Sequence, residues 1–131
     1  MSQTIPQQIR IAVFPPDAAP RLETVTNSLE ALQTLVGGRI ECFPTRVAGV
    51  VGICNDEFLF DGSPLNVASL PYGARICGTF LLCGETRGAQ GTEFCSLTDV
   101  QEFWIQRVPC WPCWELDGEP DFADLEGDPW A

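Results

Sequence analysis

The segment Asn27 to Gly38, reading NSLEALQTLVGG, places a helix start, an apolar face and a helix stop within twelve residues. Asn27 has a side chain able to cap the free amides of a first turn, and Glu30, three residues on, completes the pattern of a capping box. Leu29, Leu32, Leu35 and Val36 recur at helical spacing. Gly37 and Gly38 allow the left-handed backbone that ends a helix. The segment therefore predicts one short amphipathic helix that must bury a stripe of leucines against something else.

The flanking sequence supplies that partner as strands. Gln8 to Phe14 alternates, with Ile9, Ile11 and Val13 on one face, and Pro15-Pro16-Asp17 ends it. Arg21 to Thr26 is expected to pair back through that turn. Arg39 to Phe43 reads as a strand leaving the helix, with Ile40 and Cys42 on one side. Val47 to Cys54 reads as another, bent or bulged at Gly49 and Gly52. Glu57 to Phe60 is expected to close a hairpin across Asn55-Asp56, and Asp61 to Gly73, rich in turn dipeptides, is expected to be a loop.

Arg75 to Cys83 reads as a buried central strand, and Gly84 to Thr92 as a glycine-rich polar connector before a short extended piece at Phe94. Ser96-Leu97-Thr98-Asp99 repeats the capping-box pattern and opens a helix to about Gln106. Val100, Phe103 and Trp104 are expected to face the sheet, and Pro109 ends the helix. The fold class predicted is α+β: an antiparallel-dominated sheet covered by two helices, with an acidic C-terminal tail. A domain spanning residues 1–109 is followed by an extension, 110–131.

The ionisable residues exclude several chemistries. Seven basic residues stand against eighteen acidic ones, for a formal net charge of −11, and all seven are arginines. A histidine base, a histidine metal ligand, a Schiff-base lysine and a P-loop lysine are all excluded. Direct nucleic-acid binding needs a clustered basic surface, which seven scattered arginines do not form. A positively charged protein partner is a better electrostatic match.

Met1 to Pro6 lacks the basic start and apolar core of a signal peptide, and no apolar run reaches the length of a membrane span. With seven cysteines, an odd number, the expected setting is cytoplasmic with reduced thiols and no membrane.

Three groups of residues are candidates for chemistry. Cys110-Trp111-Pro112-Cys113 has the spacing of half a zinc site or of a dithiol centre, but no second such pair exists to complete a site. The favoured reading is that Trp111 and Trp114 tether the tail and the thiols are incidental. Cys42, Cys54, Cys77, Cys83 and Cys95 are expected to be small buried hydrophobes. Asn55, Ser63 and Asn66 offer amide and hydroxyl groups on a loop stiffened by Gly62 and Pro64, which suits a small polar ligand or a peptide backbone. The carboxylate pairs Asp56-Glu57 and Glu93 with Asp99 have simpler roles in turns and caps. No cofactor is called for.

Several of these segments together resemble a family catalogued as domain of unknown function 3846. The resembling residues are Ile9 to Val13, Ser28 to Gln33 with Val36-Gly37-Gly38, Ile40-Glu41, Asn55-Asp56-Glu57, Gly62-x-Pro64-x-Asn66, Gly78-Thr79-Phe80 and Phe94-x-Ser96-Leu97-Thr98-Asp99. They keep the family's order over about residues 8 to 107. The chain departs in its lack of lysine, its cysteines and its extension from Cys110. The resemblance implies an accessory protein of a phage, plasmid or conjugative element in a bacterial cytoplasm, and it implies no reaction.

Two binding functions follow as expectations. The first is a non-enzymatic inhibitor of a host protein, for example a defence enzyme, engaged through Trp111, Trp114, Leu116, Phe122, Leu125 and Trp130. The second is sequestration of a nucleotide-like signal near Asn55 to Asn66, with Arg39, Arg46 and Arg75 contacting phosphate. A small structural or zinc-binding interaction module is a further alternative.

Overall fold

The computed structural model describes residues 7–57, 62–88 and 91–115. They form one antiparallel sheet with a helix on each face. The sheet strands are β1 (Gln8–Phe14), β2 (Arg21–Thr26), β3 (Ile40–Pro44), β4 (Val50–Asn55), β7 (Phe80–Gly88) and β8 (Gly91–Cys95). A separate two-stranded ladder joins β5 (Leu65–Asn66) to β6 (Ile76–Cys77). The helices are α1 (Leu29–Val36) and α2 (Asp99–Arg107), and a 3-10 helix spans Val67–Tyr72.

The main sheet runs β2-β1-β7-β4-β3, with β8 pairing the outer half of β7. Because β2 and β3 lie at opposite edges, α1, which joins them, must cross one face. Period-two alternation divides the apolar residues between the faces. Ile9, Ile11, Val13, Val51, Ile53, Leu81 and Cys83 bury against Leu32 and Val36 of α1. Ala12, Phe14, Val50, Cys54, Phe80 and Leu82 bury on the other face with Ile105 of α2. Every residue of β4 is buried, as expected for a strand covered on both sides.

The α2-side core is aromatic. Phe14 stacks on Phe80 at 4.6 Å between centroids, while Tyr72 and Trp114 meet Phe14 edge-on at 6.1 and 5.4 Å. Phe43 adds an edge contact to Phe80. Its ring occupies the space over Gly52, its register partner, where a Cβ would collide with it. Gly52 therefore makes room for an aromatic ring rather than bending the strand.

Several expectations are corrected. The first helix is capped by Ser28, whose hydroxyl accepts from the Ala31 amide at 3.2 Å. Asn27 instead donates its side-chain amide to the Phe94 carbonyl, because β8 lies within its reach. Of the predicted leucine stripe, Leu32 and Val36 are buried and Leu35 partly so, but Leu29 is 57% exposed at the first turn. Gly37 does end the helix, at φ 85°.

In the second helix the reciprocal box joins Thr98 to Gln101 rather than Ser96 to Asp99. Ser96 accepts the Arg10 amide instead. Ile105, not Val100, is the residue that α2 buries in the core; Phe103 and Trp104 are half-buried.

The strand expected over Arg75 to Cys83 is broken at Gly78, whose φ of 80° ends β6 before β7 begins. The expected connector Gly84 to Thr92 is instead largely strand, since β7 continues to Gly88 and β8 starts at Gly91. The expected loop to Gly73 contains β5 and the 3-10 helix. Val47 is buried but precedes β4. Only Cys54 and Cys83 of the five strand cysteines are buried; Cys42 is exposed, and Cys77 and Cys95 are intermediate. Of the closing strand expected over Glu57 to Phe60, Glu57 lies in a turn and Phe58 to Phe60 lie outside the described residues.

Candidate functional site

The motif residues Asn55, Pro64, Asn66 and Gly78, scattered in sequence, converge at one end of the sheet around the start of β7. Asn66 is wholly buried there. Its side-chain amide donates to the carbonyls of Phe14 and Gly78, each at 2.9 Å, and its side-chain oxygen accepts the Ala68 amide at 3.2 Å, capping the 3-10 helix. The Gly78 amide in turn donates to the Pro64 carbonyl at 2.8 Å.

Ser69, which sequence reasoning missed, completes the joint. Its hydroxyl donates to the Asn66 carbonyl at 2.7 Å and accepts the Ile76 amide at 3.0 Å. Its place three residues after Asn66, behind a cap pattern, was the available signal. Asn66 thus fastens the β5–β6 ladder to β1, and Ser69 ties the 3-10 helix to β6.

On the other side of β7, Asn55 is also buried. Its amide donates to the Val36 carbonyl at the end of α1, and its side-chain oxygen accepts the Glu57 amide at 2.8 Å. Gly38 passes so close that a Cβ there would lie 2.8 Å from the Asn55 amide nitrogen. Asn55 thus welds the end of α1 to the turn after β4. Ser63 is half-buried beside Gly78.

The arginines do not join these groups in a single pocket. Arg39 pairs with Asp56 at 3.2 Å and reaches Glu57 at 3.8 Å. Arg46 follows the strand that Arg39 precedes, so at the usual rise their backbones stand roughly 20 Å apart. Arg46 lines an open groove of about 400 Å³ with Thr45, Gly49 and Glu85. The groove wall is pinned: Thr45 Oγ1 donates to the Val50 carbonyl, and Gln101 donates to the Ala48 carbonyl. Arg75 is exposed.

At the chain's other candidate, the Cys110 thiol donates to the Pro112 carbonyl and the Cys113 thiol to the Cys110 carbonyl. No group of three or more metal-ligating side chains occurs among the described residues. Burial, with the nearby Cys113 adding to it, pushes the Cys110 thiol up despite an opposing backbone hydrogen bond. Burial is also the main cause that pushes Cys54 up to about 11 and Cys83 up to about 12. Such thiols stay protonated, and so unreactive, near neutral pH.

Trp114 is half-buried and packs edge-on against Phe14 at the border of the core, whereas Trp111 is 72% exposed. Leu116, Phe122, Leu125 and Trp130 lie outside the described residues. No helix among the described residues is long and apolar enough to cross a membrane.

The geometry defines a small α+β domain whose recurrent polar residues are structural joints between sheet, ladder and helix. The chain belongs to the family described as domain of unknown function DUF3846, whose model matches residues 9–108. No curated protein matches it. A solved structure, the crystal structure of small RNA methyltransferase HEN1, is similar in fold, with a TM-score of 0.56 at 14% identity. That likeness covers 78% of this chain but only 16% of the methyltransferase chain.

Proposed function

We propose that this chain is a non-enzymatic accessory protein of a phage or other mobile element, and that it binds a protein of its bacterial host in the cytoplasm. The observation that carries the reading is an exposed apolar ridge. Leu65, Val67 and Leu70 are 39%, 40% and 43% exposed although they flank the buried Asn66 and Ser69. A ridge held by buried hydrogen bonds loses little freedom on docking, which favours contact with another protein. The net charge of −11 suits a basic surface on that partner. The polar side chains of Asn55 and Asn66, by contrast, are already engaged by backbone.

The test is retention of host proteins on the immobilised full-length chain, compared with a variant carrying Leu65→Ser, Val67→Ser and Leu70→Ser. A partner lost only in the variant supports the ridge; equal retention removes it. The contribution of the tail is read from a chain ending at Glu115. A cut after Val108 would also strip Trp114 from Phe14 and confuse folding with binding.

The second reading, sequestration of a nucleotide-like signal, is supported by the groove beside Arg46, whose volume falls in the range of small-ligand sites. Glu85 on the same groove opposes it. Native mass spectrometry with cyclic and linear nucleotides tests it; an added mass lost in Arg46→Gln supports it, and an unchanged mass across the panel rejects it.

A further inference from the structure

Among the described residues, four buried side-chain polar atoms have no hydrogen-bond partner, and three of them are N–H donors on one stretch: Trp104 Nε1, Arg107 Nε and Trp114 Nε1. Buried donors are normally satisfied, so the two that share a groove, on Arg107 and Trp114, point to an acceptor that the described residues do not supply. Arg107 and Trp114 line a single groove of about 210 Å³ after the end of α2. None of its lining residues is acidic, in a chain with eighteen acidic residues and seven basic ones. The Arg46 groove, by contrast, has Glu85 on its wall.

The guanidinium of Arg107 is held in place before any ligand arrives. Its Nη1 donates to the Phe103 carbonyl at 3.0 Å, and its central carbon sits 3.6 Å from the centroid of the Phe103 ring. That leaves the Nε edge, one of the two sides on which arginine receives a carboxylate. Trp114 is fixed independently by its edge contact with Phe14.

We propose that this groove is a carboxylate-binding site in which Arg107 Nε and Trp114 Nε1 donate to the oxygens of an acid. Its volume takes a carboxylate on a short chain and is too small for a drug-sized molecule. The last carbonyls of α2 carry partial negative charge, so the Arg107 cation must supply the attraction. The carboxylate can come from two sources, the acidic residues that follow Glu115 in this chain or an acid on another molecule. The proposal does not depend on the apolar ridge.

The test uses nitrogen-15 spectra of the full-length chain, in which Arg Nε–H and tryptophan indole N–H signals are resolved individually. Wild type is compared with a full-length variant in which Asp117, Glu119, Asp121, Asp124, Glu126 and Asp128 are replaced by their amides, and each is titrated with glutarate. If the chain supplies the acid, the Arg107 and Trp114 signals differ between the two proteins, and glutarate returns those of the variant toward wild type. If the acid is external, the two start alike and both move on titration.

Coincident spectra that ignore glutarate through the millimolar range overturn the proposal. In Arg107→Gln, loss of a charge-assisted pair should weaken the glutarate response of the Trp114 indole by about tenfold or more. An unweakened response overturns the role of Arg107. Should that variant fold poorly, the comparison of wild type with the amide variant and their two glutarate titrations decides, with the Trp104 indole, which does not line the groove, as the signal expected to stay still.

Discussion

Asn66 and Phe14, 52 positions apart in sequence, are joined by a 2.9 Å hydrogen bond from the Asn66 amide to the Phe14 carbonyl. The same amide group holds the Gly78 carbonyl, so one buried side chain ties the β5–β6 ladder to the main sheet where β1 and β7 meet. Asn66→Leu would leave both carbonyls and the Ala68 amide unsatisfied in the interior. The expected cost is about 2–4 kcal/mol, summing unmade buried bonds. Urea unfolding measures it, and an unchanged midpoint would show that water replaces the amide.

The capping assignments separate by mutation. Ser28→Ala should cost about 1 kcal/mol, the ordinary value of an N-cap. Glu30→Ala should cost little, since the Ser28 hydroxyl bonds Ala31 and no reciprocal box is formed there. Thermal unfolding of the two variants decides; a larger loss for Glu30→Ala would restore the capping box suggested by the local pattern.

Gly52→Ala should destabilise the protein by about 1–3 kcal/mol, the range for forcing extra volume into a packed interior. The atoms nearest the new Cβ all belong to the Phe43 ring, with which it collides. Phe43→Leu in the same chain should therefore recover part of the loss. A double-mutant cycle with a coupling near zero would place the strain elsewhere.

Alkaline pH should unfold the chain through its buried thiols. Cys54 and Cys83 rise from the ordinary 9.0 to about 11 and about 12, chiefly by desolvation, and burial moves the Tyr72 phenol upward as well. The folded state therefore holds protons that the unfolded chain releases, and stability falls as pH rises. The contribution of the two thiols is fully present below pH 9 and is lost between about 9 and 12. Urea midpoints measured from pH 8 to 11 should decline, and less steeply in the Cys54→Val, Cys83→Val variant; parallel slopes would assign the decline to other groups.

The first two strands and both helices were legible because their signals are short-range. The Ile9-Ile11-Val13 alternation and the caps at either end of Leu29–Val36 arise from neighbours a few residues apart, and the structure keeps them. The choice between Asn27 and Ser28 as cap was not legible, because Phe94, 67 residues away, takes the Asn27 side chain. Gly84 to Gly88 looked like a loop for a similar reason: its strand character comes from pairing with Gly91 to Cys95.

Of the candidate site, the sequence nominated the right polar residues for the wrong purpose. Asn55 and Asn66 were visible as unusual amides amid turn residues. That their partners are carbonyls of Val36, Phe14 and Gly78 depends on three separated segments meeting at one end of the sheet. The groove of Arg107 and Trp114 had no local signature, since it forms only where the end of α2 and the following turn pack back toward Phe14.

By itself, then, the sequence determined which segments are extended, where helices start and stop, and which ionisable chemistries are absent, because propensity, caps and composition act within a few residues. Only the tertiary structure decided which polar groups are spent on the fold and which donors are left without an acceptor. A side chain's hydrogen-bond capacity is local, but its partners are supplied by whichever distant backbone the hydrophobic core brings against it.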